Sequence, residues 1–81
     1  MTSEELQQHI ELNPRVMVGK PVIRGTRIPV ELVVRLLGQG ISEAEILRQY
    51  PRLQSEDIRA ALIYAAQVLA HEEVLPLGTP V

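Results

Sequence analysis

The sequence predicts a mostly helical fold, in which a short N-terminal β-ribbon leads into a three-helix bundle. Three observations carry this. Apolar residues recur at Val30, Val33, Val34 and Leu37, the i, i+3, i+4, i+7 spacing of a helix face. Ser42 stands three residues before Glu45, the spacing of a capping box at a helix start. Before residue 30 the chain instead offers short β-branched runs broken by glycine and proline.

Residues 1–12 are read as a separate N-terminal segment with at most a frayed helical turn. Asn13-Pro14 marks a turn, because the residue before a proline is pushed out of the helical region. "RVMV" and "PVI" are then the two strands of the ribbon, joined at Gly19-Lys20 and ended by Gly25. Pro29 suits a helix start, where its missing N–H costs nothing, and Gly40 is the expected stop of the first bundle helix. The second runs from about Glu43 to Tyr50 and ends at Pro51. Ser55 is the expected N-cap of the third, with Glu56 and Asp57 favoured at the positive end of its dipole. Its core stripe is Ile58, Ala61, Leu62, Ala65 and Leu69, and it ends near Glu72 or Glu73. Residues 13–73 thus form one domain, and 74–81, with two prolines and a glycine, form an extended tail.

Composition narrows the function. With 81 residues the chain builds one modest core, and with no cysteine it has neither a disulfide framework nor a thiolate metal site. "MTSEELQQHIEL" lacks the basic and apolar regions of a signal peptide, and no apolar run is long enough to span a bilayer, so a soluble, cytoplasmic protein with no membrane partner is expected. The net charge of −2 hides an uneven distribution. Arg15, Lys20, Arg24 and Arg27 are the only charged residues between Asn13 and Val30, while residues 31–81 carry four arginines against seven acids. A generic nucleic-acid coat is disfavoured; a local basic contact with DNA is not.

"GKPVIRGTRIPV" fails as a phosphate loop, since its lysine follows the first glycine and not the second. His9 and His71 sit in no metal-binding or nucleophile spacing and are read as exposed surface residues. No cofactor, metal or catalytic residue is expected, and the protein is read as not an enzyme.

A short helix, a turn containing "PRLQ" and a longer helix, preceded by another, match a helix-turn-helix arrangement. The stretch "GKPVIRGTRIPVELVVRLLGQGISEAEILRQYPRLQSEDIRAALIYA" resembles the prokaryotic family called domain of unknown function 433, through G-x-P-x-I-x-G-T-R-I and E-I-L-x-x-Y-P-x-L…D-I-x-A-A-L. That family is similar to homeodomain-like helix-turn-helix proteins, and some members resemble VapB-type antitoxins encoded beside a PIN-like nuclease toxin. The resemblance therefore implies DNA binding, transcriptional autoregulation and a toxin partner. Gln54 departs from the pattern, which has Thr or Ser as the cap of the third helix, and Ser55 is expected to take over that cap.

The candidate DNA-binding residues are Arg24, Arg27, Gln54, Ser55 and Arg59, with Arg15 and Lys20 as phosphate contacts. Arg24 and Arg27 could reach a minor groove as an N-terminal arm. The alternative is that one of them, above all Arg27, ties the ribbon to a helix C-terminus or to Glu31. "AALIYAAQVLA" is apolar on more than one face, so a homodimer or partner interface is expected at Ile63, Tyr64 and Val68, and toxin contact there and in the tail at Leu75 and Leu77. The competing function is a protein-interaction module on the same scaffold that does not bind DNA, favoured by the acids at the start of the third helix.

Overall fold

The structure, a computed structural model, describes residues 1–12, 15 and 19–71. In chain order it holds α1 (Ser3–His9), β1 (Ile10–Leu12), β2 (Pro21–Ile23), α2 (Val30–Gly38), α3 (Glu43–Gln49) and α4 (Ser55–His71). The expected β-ribbon preceding three helices is present, with one more helix ahead of it.

That helix, α1, forms because Thr2 and Glu5 make a complete capping box. The Thr2 hydroxyl accepts the Glu5 N–H at 3.1 Å, and Glu5 accepts the Thr2 N–H at 2.9 Å. The signal is the same three-residue spacing used for Ser42 and Glu45, and here it sits where a frayed turn was expected. Leu6 fixes the helix to the core.

The ribbon differs in its first strand. β2 pairs antiparallel with β1, in the register Ile10 to Ile23, Glu11 to Val22 and Leu12 to Pro21. Of the expected strand "RVMV", Arg15 lies in a turn and residues 16–18 fall outside the described residues. The pairing puts Ile10 and Ile23 into the core, an outcome three apolar residues in a row could not specify from sequence.

α2 starts after Pro29 and closes with a Schellman motif. Gly40, at φ +89°, donates its N–H to the Leu37 carbonyl, and Ile41 donates to that of Leu36. α3 carries half of its expected box: the Ser42 hydroxyl accepts the Glu45 N–H at 3.1 Å, while the Glu45 carboxylate pairs with Arg48 and Gln49. α4 has its start one residue earlier than a Ser55 cap requires. Ser55 is already helical, and the N-terminal N–H of Gln54 is taken by the Asp57 carboxylate at 2.9 Å.

The core gathers Leu6, Ile10, Ile23, Val30, Val33, Ile46, Leu53, Ile58, Ala60 and Ala61. Burying each large aliphatic side chain contributes roughly 1.5–3 kcal/mol, so this cluster is the main stabilising term. α4 is its backbone, packed by α1, α2 and α3. The expected α4 stripe is only partly inward: Ile58 and Ala61 are buried, but Leu62 and Leu69 are 45% and 64% exposed. Alanines at 60 and 61 let α2 and α1 close over that side of the helix, which turns the two leucines outward.

Candidate functional site

The residues singled out for DNA divide into two groups. Ile23 to Thr26 form a tight turn, with the Thr26 N–H donating to the Ile23 carbonyl at 3.0 Å and Gly25 at φ +82° in the third position. The Thr26 hydroxyl also donates to the Ile23 carbonyl at 2.7 Å and accepts the Ile28 N–H at 3.0 Å. Ile23 then bonds Ile28, and Val22 bridges Pro29. The expected arm is therefore a locked turn.

Arg24 is spent inside the fold. Its Nε and Nη2 donate to the Gln7 carbonyl at 3.1 and 2.9 Å, and Nη2 also reaches the Ile10 carbonyl at 3.2 Å. A guanidinium at the C-terminal end of α1 satisfies carbonyls the helix leaves unpaired and complements its dipole. The tie to a helix C-terminus, expected above all of Arg27, is thus made by Arg24. Glu31, the other expected partner of Arg27, is occupied by Lys20 at 2.9 Å and Arg35 at 3.0 Å. Arg27 is exposed and makes no hydrogen bond or ion pair among the described residues.

One residue outside the expected set joins the turn to the helices. Arg52, between α3 and α4, donates from Nη1 to the Gly25 carbonyl at 3.2 Å. The Ile23–Thr26 turn is thereby tied to the α3–α4 connection; Gln54, just before α4, and Ser55 and Arg59, on its first turns, have exposed side chains. Ser55 contributes a long contact to Glu43 at 3.4 Å. Arg15 is exposed in the loop before β2. The sequence signal for Arg52 is the basic side chain inside the "PRLQ" turn.

His9 does not lie free on the surface. Its Nδ1 stands 2.8 Å from Asp57 Oδ1, both side chains largely covered. His71 is exposed. Among the described residues, no group of three or more His, Asp or Glu is placed to hold a metal ion, and no helix is long and apolar enough to cross a membrane.

A second surface lies along α4. A groove of about 340 Å³ runs between α2 and α4, walled by Pro21, Val30, Val34, Tyr64, Ala65, Val68 and Leu69, with Glu31 and Arg35 on its rim. A second hollow of about 280 Å³, between α1, β1 and α4, lies across Tyr64. Tyr64 and Val68 line this groove, while Ile63 and Tyr64 are both half-buried and packed against the core. Leu75 and Leu77 lie outside the described residues.

Comparison with known proteins agrees with the motif reading. Residues 10–65 match the model of the family described as protein of unknown function (DUF433), and the chain belongs to that family. It is 43% identical over 53 residues to the uncharacterized protein y4eO of Sinorhizobium fredii, covering 65% of this chain and 24% of that protein. It is 55% identical over 29 residues to an uncharacterized protein of Archaeoglobus fulgidus, covering 36% of this chain and 81% of the other. Among solved structures it resembles the crystal structure of a DUF433 member from Anabaena variabilis, with a TM-score of 0.75 and 40% identity, over 83% of this chain and 66% of that one. The chain thus spans about a quarter of y4eO and just under two thirds of the crystallised protein.

Proposed function

With membership of this family as the premise, we propose that the chain is a sequence-selective DNA-binding protein of antitoxin type, which acts as a dimer, represses its own operon and pairs with a PIN-like nuclease. The observation that carries the reading is the Arg52–Gly25 bond, which ties the turn before the exposed Arg27 to the α3–α4 connection. In this reading α3, its turn and α4 work as a helix-turn-helix unit. Arg59 and Gln54 meet base edges, Ser55 and Arg52 meet phosphates, and Arg27 reaches the flanking groove. Arg24 and Lys20 serve by holding the turn and ribbon in place. Asp57, one of the two acids at the start of α4, has its carboxylate oxygens engaged by His9 and the Gln54 N–H.

The alternative, a protein-interaction module without DNA, is favoured by the exposed Glu56 and by the apolar groove. Fluorescence anisotropy on duplex DNA from upstream of the gene, against a scrambled duplex at low and moderate salt, separates the two. Selective binding that weakens with salt and is lost in Arg27→Ala/Arg59→Ala supports the repressor, because phosphate contacts release counterions. Equal binding to both duplexes, or none, hands the scaffold to the alternative.

A further inference from the structure

Ile58, Leu62, Ala65 and Leu69 follow the alternating four- and three-residue spacing of a heptad seam. Only the first of them is buried. From Leu62 onward the seam leaves the core, with Leu62 and Leu69 exposed at 45% and 64% and the half-buried Ala65 between them. We propose that this seam is the contact between two copies of the chain, α4 lying antiparallel to α4 of the partner about a two-fold axis near Ala65.

The chemistry of the face selects that occupant. Ala60 to Ala70 contains no charged residue, so nucleic acid or a charged peptide finds nothing there to pair with, while a second α4 meets no like charge. Alanines at 65 and 66 let the two backbones approach, and the leucines at 62 and 69 are knobs placed seven residues apart for the opposite helix. The adjoining groove extends this apolar face, since Ala65, Val68 and Leu69 form one of its walls. Its two charged lining residues, Glu31 and Arg35, already pair with each other at 3.0 Å, so neither presents an unpaired charge to a second apolar helix.

The pairing rests on this face alone and stands whether or not DNA is bound, but it also gives the proposed function a geometry. Ser55 lies ten residues before Ala65, about 15 Å along the helix, so an antiparallel pair places the two α4 starts roughly 30 Å apart. That is close to the ~34 Å between successive major grooves on one side of a duplex.

The test is the molar mass of the full chain by light scattering across the micromolar range, beside Leu62→Glu/Leu69→Glu. Both leucines are exposed, and a helical circular dichroism spectrum unchanged in the variant confirms that it folds. The expected result is a dimer whose mass halves in the variant. A second readout uses the absence of cysteine: Ala65→Cys forms an interchain disulfide on mild oxidation, and Gln49→Cys, on α3, does not. A full chain that is monomeric throughout overturns the proposal and assigns the face to another segment of the chain or to a different protein. A dimer that survives both glutamates, or cross-links equally from Gln49→Cys, overturns the surface. Should the glutamate variant fail to fold, the cysteine pair alone decides. A dimer with no selective DNA binding leaves the pairing standing and defeats only the repressor reading.

Discussion

Asp57 binds His9 with one carboxylate oxygen and the start of α4 with the other. Oδ1 stands 2.8 Å from His9 Nδ1, and Oδ2 accepts the Gln54 N–H at 2.9 Å. One side chain thus caps the longest helix and fastens it to the end of α1, 48 residues away in sequence.

Asp57→Ala removes both links and costs about 1–3 kcal/mol, the range for a lost cap together with a partly buried hydrogen bond to a charged group. His9→Ala costs less, because the cap survives. Urea denaturation of the two single variants and the double variant shows the losses to be less than additive, the signature of a shared contact.

Arg24, in the Ile23–Thr26 turn, and Arg27, just after it, respond differently to removal. Arg24→Ala lowers stability by about 1 kcal/mol and speeds amide exchange in α1, because the carbonyls of Gln7 and Ile10 lose their donor. Arg27→Ala leaves melting and exchange unchanged, as an exposed side chain with no partner among the described residues. A DNA-binding loss in Arg27→Ala is thereby free of a folding effect, and one in Arg24→Ala is not.

Glu31 titrates below the ordinary carboxylate range, first through the hydrogen bond from Lys20, then through the charges of Lys20 and Arg35. A folded value below the unfolded one means that the link's stabilisation is full above ~pH 4.3, the unfolded value, and is lost as pH falls through the depressed folded value. Carboxyl chemical shifts followed by NMR show Glu31 titrating at higher pH in Lys20→Ala. The opposite movement would assign the depression to another group.

Gly40→Ala meets no neighbour, since the space around a new Cβ is open. The left-handed φ remains, so the substitution costs about 1 kcal/mol through backbone strain alone. Gly38→Ala, in the last helical position with equally open space, is neutral or stabilising. Chemical denaturation of the pair measures the difference.

Local rules determined a good part of this protein from the sequence alone. The periodicity of Val30, Val33 and Leu37, the Schellman glycine at 40, the serine cap at 42 and the stop at Pro51 act between residues a few positions apart. The same rules contained α1, in the three-residue spacing of Thr2 and Glu5. The family motif was likewise legible, and the match over residues 10–65 agrees with it.

Tertiary structure decided what depends on distant partners. β2 found Ile10–Leu12 because that register buries Ile10 and Ile23 together, and pairing energy is set by the face each side chain takes. His9 became a partner of Asp57, Arg24 rather than Arg27 went to the end of α1, and Lys20 rather than Arg27 took Glu31. In each case the partners are distant in sequence, and only the placement of the backbone settled which side chain could reach. On α4, nearly every residue from 60 to 70 is apolar, so the sequence offered several faces of equal merit. Packing by α1 and α2 chose one and turned Leu62 and Leu69 away from the core.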